Sequence, residues 1–325
     1  MSQDVFLAKR HEVDIERDVP YGRGRVGMSS TPAWRTLALD VYRPRASSDA
    51  PANGRPGLLL AFGGAFHRGS KETDEFEGAT QRNTPVAAYC HEFARRGYVA
   101  FSIDYRLVQE DPDPGTTRVI QDPDSVPTSR VDVVRRMLNL PPASARTVWA
   151  GIEAACDDMA TAVTFVREHA ARWGMDPGRL AVGGFSAGAR TALNAVYGER
   201  APAAAVVALS GFMAESDLRH WVRSPGEAPL LLVTAEHDLD YVAQHAEGMR
   251  RHFESAGVRH EAWRVPGADH FYPAQAPVVR VAGDTDGPGS VAAAGSSTVE
   301  SVMADFLYRC LDLATLACDP PKESS

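Results

Sequence analysis

The sequence predicts an α/β protein built on one mostly parallel sheet with helices over both faces. Three observations predict it. Short, continuous apolar runs recur at Leu58–Phe62, Leu180–Gly183, Ala203–Leu209 and Leu230–Val233, each too short for a helix and without the alternation of a half-exposed strand. Amphipathic stretches of helical period separate them. Several runs end abruptly in small or acidic residues, where an open parallel sheet gathers its functional groups. At 325 residues, 44% hydrophobic and 23% charged, the chain suits one large α/β domain, and we read 1–325 as a single domain with two insertions.

The elements follow in order after a polar N-terminal arm. Thr36–Tyr42 alternates Leu37, Leu39 and Val41 with Ala38, Asp40 and Tyr42, the pattern of a strand with one buried face. A small polar run, ASSDAPANGRPG, then forms a loop before the strand Leu58–Phe62. Pro85–Arg96 reads as a helix stopped by Gly97, and Tyr98–Ile103 as the next strand. The segment 107–144 interrupts this rhythm with six prolines and a cluster of aspartates. It reads either as surface decoration or as a lid over a site, with a short helix marked by Val131, Val134, Met137 and Leu138. Trp149–Trp173 fits a long amphipathic helix, Tyr241–Ser255 a helix closed by Gly257, and His260–Val265 a last strand. Ala274–Ser297, rich in Gly, Ala and Ser, is the second insertion, and Thr298–Leu316 closes the chain as a helix.

Charge and composition exclude several classes. A net charge of −8 lacks the basic footprint that nucleic acid requires. Cys90, Cys156, Cys310 and Cys318 have no metal-like spacing, so free thiols in a reducing compartment are expected. The first residues carry charges throughout, and no apolar run is long enough for a membrane span, so the expectation is a cytoplasmic protein. No G-x-G-x-x-G follows a strand, no H-x-x-x-H appears, and the aspartates of 111–124 lack an EF-hand pattern, so no cofactor or metal is expected. Oligomeric state stays open.

The chemistry concentrates at LAVGGFSAGAR, residues 180–190. Gly184, Ser186 and Gly188 form G-x-S-x-G between an apolar strand and a helix-like stretch. That is the setting of a sharp strand-to-helix turn holding a serine in strained backbone, with the following helix end aimed at a developing oxyanion. A nucleophilic serine needs a base, an acid to orient it, and donors for the oxyanion. After the strand LLLVT comes AEHDLD, and after HEAWRV comes PGADHFY, so Ser186 is followed by acids and then by His270. Asp238 is the preferred acid, because Ala235–Asp238 matches the turn G/A-x-x-D; Asp240 instead reads as a cap for the next helix, with Glu236 and Asp269 as remoter candidates. His237, His245 and His252 are the competing histidines. In FGGAFHRGS, glycines after a strand let backbone approach a ligand, so N–H groups of Gly63, Gly64 or Ala65 together with Ala187 form the candidate oxyanion hole.

FGGAFHRGSK, ARRGYVAFSIDYRL and DDMATAVTFVREHAARWGMDPGRLAVGGFSAGA together resemble the esterase/lipase branch of the α/β-hydrolases, with an H-G-G-G-like oxyanion motif, and are most similar to small carboxylesterases and feruloyl-esterase-like members. The resemblance runs from about Asp40 to His270, leaving out 107–144. It implies the α/β-hydrolase fold and a cofactor-free hydrolase of small-molecule carboxylic esters, with Ser186 as nucleophile, His270 as base and Asp238 as orienting acid. Phe62 stands at the usual His position and Ala65 at the third Gly, neither change removing a backbone N–H. Lactonase and arylformamidase activities fit the same triad. A hydrolase-fold binding protein without catalysis is the competing class.

Overall fold

In a computed structural model, the described residues are 5–45, 51–281 and 297–316. Their strands form one nine-stranded sheet, β1 (Val13–Val26), β2 (Ala33–Pro44), β3 (Arg55–Ala61), β4 (Val99–Ile103), β5 (Met175–Phe185), β6 (Ala205–Leu209), β7 (Leu230–His237), β8 (His260–Asp269) and β9 (Val279–Arg280), in the order β1-β2-β4-β3-β5-β6-β7-β8-β9. The six strands from β4 to β8 run parallel, while β1, β2 and β9 pair antiparallel at the two edges. Every residue of β3, β4 and β6 is buried. Because successive side chains point to opposite faces, the helices must cover both sides of the sheet centre.

The helices are α1 (Val86–Arg95), α2 (Ser129–Met137), α3 (Ala145–Glu168), α4 (Ala187–Leu193), α5 (Glu215–Trp221), α6 (Asp240–Ser255), α7 (Val299–Cys310) and α8 (Leu313–Leu316). In α1, Val86, Tyr89, Cys90 and Phe93 share one buried stripe, as their spacing predicts. The long helix read from Trp149 begins four residues earlier, where the Ser144 side chain accepts the Thr147 N–H as its cap, and ends in a 3-10 turn at Trp173.

Four expectations need correction. The polar N-terminal arm contains β1, fourteen residues paired along β2; register shifts after Glu16 and Pro20 break the alternation that marks a strand in sequence. In α2, Val131 and Val134 are buried, but Met137 at its end and Leu138 just after it are 62% and 41% exposed, so the apolar stripe ends a turn early. His260–Val265 is not the last strand: β9 pairs with β8, and it lies inside the stretch read as an insertion. The helix α5 had no counterpart in the sequence reading, since only Asp217 and Leu218 of its seven residues are buried. Residues 282–296, which make up most of that second insertion, and Cys318 lie outside the described residues.

Chain order and strand order together set the site. From β3 the chain passes to β4 on one side and later to β5 on the other, so the loops leaving β3 and β5 diverge over a crevice at their carboxyl ends. Ala61 pairs with Gly184, which puts the turn starting at Phe62 beside the turn that carries Ser186.

Candidate active site

Ser186 sits between β5 and α4 at φ 53° and ψ −114°, a conformation that L residues rarely adopt. Its N–H donates to Leu209 O at 2.8 Å, tying the turn to the end of β6. The flanking glycines are there for space. A Cβ on Gly188 would lie 2.0 Å from Ala61 O, and one on Gly184 2.5 Å from the same oxygen. The turn therefore closes only if both positions lack a side chain.

His270 Nε2 lies 2.8 Å from Ser186 Oγ, and its Nδ1 lies 2.5 Å from Asp238 Oδ1. A carboxylate only accepts, so the ring proton belongs on Nδ1 and Nε2 is left to accept from the serine hydroxyl. Asp238 and His270 are buried, and Ser186 is partly exposed. Burial works against the charged form of Asp238. Its bonds to His270, to Ser210 Oγ at 2.5 Å and to the Ala235 N–H at 3.1 Å outweigh that and hold its pKa below the ordinary value. Leu239 N–H adds a fourth donor at 2.8 Å.

The competing residues are placed elsewhere. Asp240 is the first residue of α6 and makes no capping bond, Leu239 being the N-cap. Glu236 accepts the Gly267 N–H at 2.7 Å, and Asp269 accepts those of Ala79 and Phe271. His245 stacks on Phe212, His252 bonds Val222 O, and His237 is exposed.

The turn after β3 divides the four candidate oxyanion donors. Gly63 N–H donates at 3.1 Å to Asp74 Oδ2, so it is committed inside the protein and does not face the serine. The N–H groups of Gly64, Ala65 and Ala187 have no acceptor among the described residues, and all three residues line the cavity that holds Ser186 and His270. Gly64, Ala65 and Phe66 all have positive φ, which for the two non-glycine residues is strained backbone of the kind that clusters at functional sites. Phe62 stacks on Tyr105 with centroids 4.3 Å apart and accepts the Tyr105 hydroxyl at its carbonyl. An aromatic stack thus anchors the turn.

The cavity is about 630 Å³, counting its open mouth. Pro127, Val131 and Val134 of the 107–144 segment form part of its wall, together with Val148 and Ile152 of α3.

A match to the BD-FAE family model covers residues 146–207. No curated protein matches the chain. Among solved structures, esterase 2 of the planctomycete Thermogutta terrifontis with propionate bound is similar at TM-score 0.55 and 19% identity, covering 95% of this chain and 97% of that one. Its apo form gives 0.54 and 19%, covering 96% and 97%, and its paraoxon-phosphorylated form 0.54 and 18%, covering 93% and 91%. The chain has the α/β-hydrolase fold.

Within this α/β-hydrolase fold, three supporting residues escaped the sequence reading. Ser210, at the end of β6, gives its hydroxyl to Asp238 and lies 3.0 Å from Tyr272 OH. Asp74 accepts from Gly63 N and, at 2.8 Å, from Val86 N, pinning the turn to the start of α1; burial pushes its pKa up to about 6 against those two bonds. His67 bridges the turn to α2, with Nδ1 on Ala65 O at 2.8 Å and Nε2 on Arg135 Nη1 at 3.0 Å. Only a strand-end position hinted at Ser210, and nothing local marks the other two. Asp18, Asp40 and Glu72 also converge, around the Lys71 ammonium at 2.8, 2.9 and 3.0 Å, which fills their centre with a fixed cation.

Proposed function

We propose that this protein hydrolyses carboxylic esters through an acyl-enzyme on Ser186, with His270 as general base and Asp238 as the acid that orients it. The observation that carries the reading is the continuous line Ser186–His270–Asp238, at 2.8 and 2.5 Å, opening into a mostly apolar cavity beside unengaged backbone N–H groups. Ser186 Oγ attacks the carbonyl as its proton passes to His270 Nε2, and the imidazolium is stabilised by buried Asp238. The oxyanion forms against N–H groups of Ala187 and of Gly64 or Ala65, each such donor contributing about 3 kcal/mol to lowering the barrier. His270 then protonates the leaving alcohol, and water repeats the sequence on the acyl-enzyme. The Thermogutta esterase 2 structures with propionate and butyrate bound support a small-molecule ester of this kind. Free thiols at Cys90, Cys156 and Cys310 fit a cytoplasmic setting, and no helix among the described residues is long and apolar enough to cross a membrane.

A fluorophosphonate probe tests this directly. Labelling is expected at Ser186 alone, and Ser186→Ala should lose labelling and about three or more orders of magnitude in turnover of short esters. Labelling at another serine, or a variant that retains turnover, overturns the assignment.

A further inference from the structure

Arg190 lies four residues after Ser186, one turn and about 6 Å along α4. It lines the same cavity and is only 6% exposed. Its Nε is sealed from solvent without a hydrogen-bond partner, and the carboxylates that act on its guanidinium do so without a hydrogen bond. Its close neighbour is the Phe212 ring, 4.6 Å from Cζ. Asp217 and, more weakly, Glu153 act on it through space; one Asp217 oxygen accepts the Gln121 N–H and the other is buried without a partner.

A guanidinium stays charged at any physiological pH, so its burial is not relieved by losing a proton. Burying a charge without a hydrogen-bonded partner is costly, and a ring face returns only a fraction of that cost. Two more arginines, Arg68 and Arg130, stand toward the cavity mouth over Phe76 and Phe271, also without ion pairs among the described residues. No Asp or Glu lines the cavity itself. The pocket is therefore mostly apolar in its walls, and its fixed charges are all cationic, with the most buried of them one helical turn from the nucleophile.

We propose that the substrates are esters that also carry a carboxylate, which pairs with Arg190 while the ester carbonyl sits at Ser186. Resting on the ester-hydrolase reading above, this makes Arg190 the residue that selects the substrate class. The planar fork of arginine suits bidentate pairing with a carboxylate, and the surrounding apolar wall strengthens that pairing by excluding water. The carboxylate belongs either to the acyl part or to the leaving alcohol, and both carry the same recognition chemistry.

The test compares kcat/KM at pH 7.5 in two arms: monomethyl glutarate against methyl pentanoate, and 4-acetoxybenzoate against phenyl acetate. In at least one arm the anionic ester should be preferred by tenfold or more, mainly through KM. Arg190→Met should abolish that preference, and Arg190→Lys should restore part of it. Should Arg190→Met not fold, the wild-type protein still decides: glutarate or benzoate should inhibit competitively at concentrations at least tenfold below the corresponding uncharged amide. Turnover of neutral esters with no anionic preference in either arm overturns the proposal, as does a preference that survives Arg190→Met. If Ser186 takes no fluorophosphonate and no ester of either charge is cleaved, the ester-hydrolase reading itself has failed, and this proposal falls with it.

Discussion

Asp238 and Asp240 stand two residues apart in one loop, yet their surroundings give them different work. Asp238 receives four hydrogen bonds, from His270, Ser210, Ala235 and Leu239. Asp240 only opens α6, where a negative charge meets the positive helix end. Asp238→Asn replaces an acceptor of the His270 Nδ1 proton with a group that can donate, which favours the wrong tautomer. Turnover is expected to fall about 10³- to 10⁴-fold, and fluorophosphonate labelling of Ser186, which needs the same base, should slow with it. Asp240→Asn should leave turnover within twofold and lower stability by about 0.5 kcal/mol. Steady-state kinetics with thermal melts on both variants check this; the opposite assignment would show as the large kinetic loss falling on Asp240.

At the scale of elements, the 107–144 segment is fastened along its length. Arg106, buried at its start, pairs with Asp158 of α3 at 2.8 Å. Further on, Glu153 accepts the N–H groups of Val119 and Ile120, and Trp221 Nε1 donates to Val119 O at 2.7 Å. Arg135 then ties α2 to His67. Such anchoring suits a fixed wall better than a swinging flap, and we propose that the segment sets substrate range by shaping the cavity. Wholesale replacement by a linker would uncover α3 and confuse packing with selectivity. Single changes at the wall avoid this. Val134→Phe should lower kcat/KM for hexanoyl esters relative to acetyl esters by tenfold or more, and Val134→Ala should shift the ratio the other way. Overpacking is expected to cost Val134→Phe about 1–3 kcal/mol, so melts accompany the kinetics. An unchanged chain-length ranking in both variants, with Ser186 still labelled, would leave the segment without this role.

For the molecule as a whole, the contact between the β3–α1 turn and α2 is expected to weaken in acid. Burial depresses the pKa of His67, and the Arg135 charge adds to that against the bond to Ala65 O. The folded state thus binds a proton less readily than the unfolded chain. Stability from this group is complete above the ordinary histidine value of about 6.5 and is lost as pH falls through the depressed value. Asp74 is shifted the opposite way, raised to about 6 by burial, so its contribution is largest in acid and is lost as pH rises through that value. A wild-type curve mixes the two, but a difference separates them. His67→Gln retains a donor and an acceptor and does not titrate. The Tm advantage of wild type over His67→Gln should shrink from pH 7.5 to 5.5. A gap that stays constant or widens in acid would contradict the buried neutral imidazole.

Local sequence was enough to point to the parallel core and to name the residues of the proposed triad. Short continuous apolar runs such as Leu58–Phe62 fit strands buried on both faces, and Gly184 and Gly188 mark a turn too tight for side chains. The order serine, acid, histidine followed from three successive strand ends. Tertiary structure alone decided the rest. β8 lies three strands from β5, about 14 Å across the sheet, so His270 reaches Ser186 only because the chain after β8 folds back over the end of β6, with Tyr272 buried beside Ser210 and Phe185. The same return makes Ser210, Asp74 and Arg190 meaningful, since each draws its role from partners, or from their lack, far away in sequence. β1 was hidden for a related reason: an edge strand with register shifts takes its definition from the neighbour it pairs with, and not from its own alternation. Periodicity records what each residue needs from its nearest neighbours, while the packing of distant loops determines which polar groups are satisfied and which are left facing the cavity.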